Sequence, residues 1–92
     1  MATTTTEFCD QAGEPISQAR WHALLSTPNY RMVQLTWPQP DLEVTTFWVG
    51  RHPYLFETLV RRQRRVVLAT LRYATRQQAL AGHTHLHELF AR

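Results

Sequence analysis

Cysteine is nearly absent: Cys9 stands alone in 92 residues. No intramolecular disulfide can form, which excludes a disulfide-stapled secreted scaffold. No apolar run approaches the ~20 residues that a membrane helix needs, so no membrane partner is expected. Met1–Asp10 carries no positive charge and no apolar core segment, which argues against a secretory leader and for a cytoplasmic chain. Lysine is missing altogether, and all ten basic residues are arginine. GC-rich codon usage and selection for planar, bidentate recognition both produce that pattern. No catalytic or cofactor motif stands out, so no cofactor is expected.

What remains is a chain sized for one domain. At this length roughly 60–65% of the unfolded surface is buried, which leaves little room for a large enclosed active site. Apolar residues make up 43% and aromatics 11%, enough for a packed core and against wholesale disorder. The net charge of +3 is unevenly spread. Residues 1–58 hold three Arg and six acidic residues, whereas residues 59–92 hold seven Arg and one Glu. Such a lopsided chain suggests a basic patch and an anionic partner.

Residues 1–13 read as a flexible arm, closed by Gly13, ahead of a single domain over 14–92. A short helix follows, with Pro15 in its first turn and Trp21, Leu24 and Leu25 on one face. Ser26-Thr27-Pro28-Asn29 ends it. Tyr30 to Trp37 alternates as a strand, with Val33, Leu35 and Trp37 against Tyr30, Met32, Gln34 and Thr36. Pro38–Asp41 turns the chain into a second strand, Leu42 to Gly50, rich in β-branched and aromatic residues. Gly50–Pro53 turns again into a third, Tyr54 to Val60. A fourth spans Arg65 to Tyr73 across Arg61–Arg64, which lacks the Gly or Asn of a tight hairpin. Thr75 and Gln78 have capping-box spacing. The helix they open runs to about Ala91, with Ala79, His83, Leu86 and Phe90 on one stripe. Gly82 inside it costs about 1 kcal/mol relative to Ala and implies close packing, here on the sheet. The fold class is thus α+β: a four-stranded antiparallel meander between a short N-terminal helix and a C-terminal helix packed on one face. Strands two and three are apolar on both faces, so the second face needs cover from the first helix, a partner or a second copy.

Val44-Thr45-Thr46-Phe47-Trp48-Val49-Gly50, then Leu55-Phe56-Glu57-Thr58-Leu59-Val60, then Arg72-Tyr73-Ala74-Thr75 and Ala79-Leu80-Ala81-Gly82-His83 resemble the motifs of a family of small uncharacterised phage and prophage proteins. The resemblance covers about residues 44–83. Only Arg51-His52-Pro53-Tyr54 stands where that family has a longer Gly-rich link, and Leu59 replaces its Met. The resemblance implies no chemistry. It implies a phage or mobile-element setting, in which small proteins often bind and block a host complex such as a CRISPR effector.

Four groups of side chains invite a functional reading. Arg61, Arg62, Arg64 and Arg65, with Arg72 and Arg76, are expected to line an edge that meets phosphates, an acidic protein surface or only solvent. Tyr30, Trp37, Trp48 and Tyr54 form either an aromatic contact surface or core. His83 and His87 have the i, i+4 spacing of paired zinc ligands, with a third ligand to come from elsewhere, such as Glu88 or Cys9; the stronger reading takes His83 on the apolar stripe as a half-buried histidine with a hydrogen-bond partner, and His85 and His87 as solvated. Glu57 and Cys9 each lack a partner base, so no catalytic residue is assigned. The reading is a non-enzymatic accessory protein that binds and inhibits a host protein or nucleoprotein complex through its arginines and aromatics, anti-CRISPR-like in manner. A small arginine-rich nucleic-acid-binding regulator is the alternative, and both leave room for a homodimer.

Overall fold

In the computed structural model, which describes residues 7–92, the elements follow in the order α1 (Gln18–Leu25), α2 (Pro28–Arg31), β1 (Met32–Gln39), β2 (Leu42–Arg51), β3 (Tyr54–Arg62), β4 (Val66–Tyr73) and α3 (Arg76–Phe90). The strands form one antiparallel sheet in sequence order, joined by short connections, as expected of consecutive hairpins. No described helix is long and apolar enough to cross a membrane.

Several local expectations shift. Ser17 caps α1 by accepting a bond from the Arg20 N–H, which leaves Pro15 outside the helix. Pro15 instead bridges to Cys9, while Phe8 bridges to Arg51. The expected arm therefore gives way to docked backbone from Glu7 onward, with Cys9 only 5% exposed; residues 1–6 lie outside the described residues. Ser26 closes α1 and Thr27 is extended ahead of Pro28, as expected, but Pro28 then begins a second helical turn, α2, because proline suits a first helical position. Bulges then reset the faces of β1. Met32 opposes Phe47 while Gln34 opposes Thr46, so Met32 shares a face with Leu35 rather than with Gln34.

The turn between β3 and β4 closes without glycine. Gln63 and Arg64 both adopt positive φ, 53° and 58°, and the Arg65 N–H donates to the Arg62 carbonyl at 3.0 Å. Gln63 N–H also donates to the Asp41 carbonyl at 2.8 Å. That bond ties the β1–β2 and β3–β4 turns together and helps offset the left-handed conformation.

α3 covers one face of the sheet. Thr75 accepts from the Gln78 N–H at 3.1 Å, and the Ala74 N–H donates in turn to Gln78 Oε1 at 3.2 Å. Ala79, His83 and Leu86 are buried and Phe90 half-buried, as the stripe predicts. Beneath them lie Val44, Val60, Trp48 and Phe56. Gly82 permits this approach: a Cβ there would fall 2.3 Å from the Tyr73 ring. The Trp48 indole N–H donates to the Cys9 carbonyl at 3.1 Å, anchoring the N-terminal segment to the core.

Candidate macromolecular interface

The pairing registers arrange the opposite, outer face of the sheet in three rows. Met32, Phe47, Glu57 and Arg72 lie across one row, Leu35, Thr45, Leu59 and Thr70 across the next, and Glu43, Arg61 and Val67 across the third. α1 and α2 reach this face only at the Met32 end, where Leu25, Ser26 and Pro28 wall a groove of about 470 Å³ with Phe47, Leu59, Arg31 and Arg61. Leu24 and Leu55 join the buried cluster, but Met32 and Leu35 remain exposed. The N-terminal helix therefore covers the second face in part.

Two ion pairs bracket the uncharged middle row. Arg72 lies 3.2 Å from Glu57, and Arg61 lies 2.6 Å from Glu43. Glu43 is buried, accepts a further bond from the Thr45 hydroxyl at 2.8 Å, and has Arg64 at 3.7 Å. The Arg61 hydrogen bond holds its carboxyl below the usual glutamate range, against the opposing effect of burial.

Of the six arginines expected to form one basic edge, Arg61, Arg62, Arg64 and Arg65 stay together at the β3–β4 turn, whereas Arg72 and Arg76 lie apart from them, and most are matched. Arg61 and Arg64 share Glu43, Arg62 pairs with Asp41 at 3.4 Å, and Arg72 pairs with Glu57. Arg76 donates to the Gln11 side chain at the far end of the molecule. Arg65 makes no ion pair among the described residues. Sequence clustering overstates the patch because strand register sets Glu43 of β2 opposite Arg61 of β3 and Glu57 of β3 opposite Arg72 of β4.

Of the four aromatics, Tyr30 and Trp48 meet, while Trp37 and Tyr54 stand at opposite ends of the sheet. Trp48 is 0% exposed and belongs to the core. Tyr30 is half-buried, edge-on to Trp48 with centroids 5.0 Å apart. Trp37, 49% exposed, stands at the turn end beside Pro40, Gln63 and Arg64. Tyr54, 52% exposed, stands at the opposite end, after the Gly50–Pro53 turn. Residues that sequence reasoning did not select, Arg31, Met32 and Leu35, share the open face with Phe47 and Leu59. The signal for Phe47 and Leu59 was the two-faced apolar pattern of their strands. Arg31 gave none, because its place over the Phe47 ring, 5.8 Å from the centroid, depends on α2.

A second polar constellation lies under α3. His83, 1% exposed, has Thr46 Oγ1 at 2.7 Å from Nδ1 and Thr36 Oγ1 at 2.8 Å from Nε2. Thr46 Oγ1 also meets Thr58 Oγ1 at 2.5 Å. Thr36 Oγ1 also meets His87 Nδ1 at 2.8 Å, so His87 is half-buried and bonded rather than solvated. Burial first, and the charge of His87 second, push His83 below the ordinary histidine value. Hydroxyls occupy both nitrogens, so no carboxylate orients this ring as a general base. Among the described residues no group of three or more His, Cys, Asp or Glu is placed to hold a metal. The Cys9 thiol is pushed up by burial and by Asp10 and Glu14, the opposite of an activated nucleophile. What this seam can do is fix the register of α3 on the sheet.

No family model, no curated protein and no solved structure matches the chain.

Proposed function

We propose that this is a non-catalytic binding protein that docks on a protein partner through the open face of its sheet. The carrying observation is the groove bounded by Leu25, Met32, Phe47 and Leu59, an apolar surface that α1 and α2 leave uncovered. A hydrophobic centre rimmed by charge is the usual anatomy of a protein interface. The intrachain matching of Arg61, Arg62, Arg64 and Arg72 supports a protein over a nucleic acid, since each paired carboxylate opposes the field that phosphates follow. Blocking of a host complex, the role that the motif resemblance implies, is the form of docking we propose. The nucleic-acid reading retains one specific support: Trp37 beside Arg64 sets an exposed ring next to a cation, as base stacking requires.

The test has two arms. A photo-reactive phenylalanine analogue at Leu35 should give a discrete protein adduct in bacterial cells, and the same group at Gln77 on the outer side of α3 should not. Labelled DNA and RNA should show no anisotropy change at low salt. Tight, steeply salt-dependent binding that is lost when Arg62, Arg64 and Arg65 become Glu would reverse the order of the two readings.

A further inference from the structure

We infer that the groove takes an acidic–apolar segment of the partner, one carboxylate docking on Arg31 while flanking apolar side chains cover Phe47 and Leu59. This deepens the docking reading and rests on it. Arg31 ends α2 and reaches over Phe47. Among the described residues it makes no ion pair, unlike Arg61 and Arg72 on the same face. Its Nε is shielded from solvent and has no hydrogen-bond partner, and the Nε of Arg61 in the same groove is in the same state. Arg31 thus sets a cation without an intrachain counter-ion, among the described residues, beside an apolar groove, and an arriving carboxylate supplies that counter-ion through the open part of the fork. The apolar floor excludes water around the new pair, which strengthens a charge-assisted bond.

The surrounding charges select for one carboxylate rather than a polyanion. Glu43 and Glu57 flank the middle row on either side. A run of phosphates laid along the face would meet both. A single Asp or Glu at Arg31, followed by leucine or phenylalanine side chains over Leu59, meets neither. The recognised chemistry is thus a short segment with one acidic residue inside an apolar stretch.

The experiment selects binders from a randomised twelve-residue displayed peptide library against the full chain. Enriched peptides should share one Asp or Glu flanked by large apolar residues. Replacing that Glu by Gln in a selected peptide should weaken it about tenfold or more, and Arg31→Gln should do the same. The two changes together should cost no more than either alone. The peptide-side change reads the contact even if Arg31→Gln disturbs folding. Enriched peptides with no acidic residue, or binding unmoved by both changes, would overturn the inference and leave docking intact. No enrichment, or binders insensitive to Leu59→Ala and Phe47→Ala, would overturn both. So would a dimer in sedimentation that Arg31→Gln dissociates, since the occupant would then be a second copy.

Discussion

Thr46→Val keeps the branched shape of the side chain and removes one hydroxyl, the joint between Thr58 and His83. Thr46 is wholly buried, as is the ring it supports, so water cannot replace the lost partner. Two hydrogen bonds disappear, each worth about 1 kcal/mol net. His83 Nδ1 is left unpaired, which adds roughly 1–3 kcal/mol unless the ring changes tautomer so that Nδ1 carries no proton. The extra methyl returns somewhat under 1 kcal/mol by burial. The expected loss is about 2–4 kcal/mol, a drop of roughly 8–30 °C in Tm for a domain of this size. Urea unfolding at pH 7.5, followed by circular dichroism, measures it. A double-mutant cycle with Thr58→Val should show strong coupling, because both changes break the same 2.5 Å contact. A loss under about 0.5 kcal/mol, or strictly additive effects, would refute the view that this seam holds α3 in place.

Four further outcomes follow from the same geometry. Folded His83 titrates below its ordinary 6.5, so the unfolded chain binds more protons in that window: stability should be full above 6.5 and fall as pH drops through the folded value, and His83→Gln should remove that part of the slope in urea titrations. Glu43 acts in a separate, lower window, present above its ordinary 4.5 and lost as pH falls through its lowered value. Gly82→Ala gains about 1 kcal/mol of helix propensity but sets a Cβ against the Tyr73 ring; a net loss of about 1–3 kcal/mol is expected, and net stabilisation in thermal melts would contradict the packing. Arg61→Ala strands a buried Glu43 carboxylate and should cost about 1–3 kcal/mol, whereas Arg62→Ala, whose pair with Asp41 is exposed, should cost under 1 kcal/mol.

The sequence by itself determined the order and kind of the elements other than α2, whose residues it divided between the end of a helix and the start of a strand. Enrichment in β-branched and aromatic residues marked β2, the turn signals at Pro38–Asp41 and Gly50–Pro53 bounded β2 and opened β3, the Thr75–Gln78 spacing marked the start of α3, and its 3.6-residue stripe named Ala79, His83 and Leu86 as the side facing the sheet. These are local signals, carried by residues a few positions apart. The bulge that turns Met32 to the open face, the left-handed turn at Gln63 and Arg64, and the docking of Cys9 were not legible. Each depends on a partner distant in sequence: Phe47, the Asp41 carbonyl, and the Trp48 indole with the Gly50 carbonyl. The candidate site divides in the same way. Composition counted the arginines, but only register shows that Glu43 and Glu57 face Arg61 and Arg72 and reduce that charge. Two-faced strands announced an apolar surface around Phe47 and Leu59. That α1 stops short of covering it, and that α2 sets over it an Arg31 with no ion pair among the described residues, were decided by tertiary structure, because burial and charge matching are properties of neighbours in space.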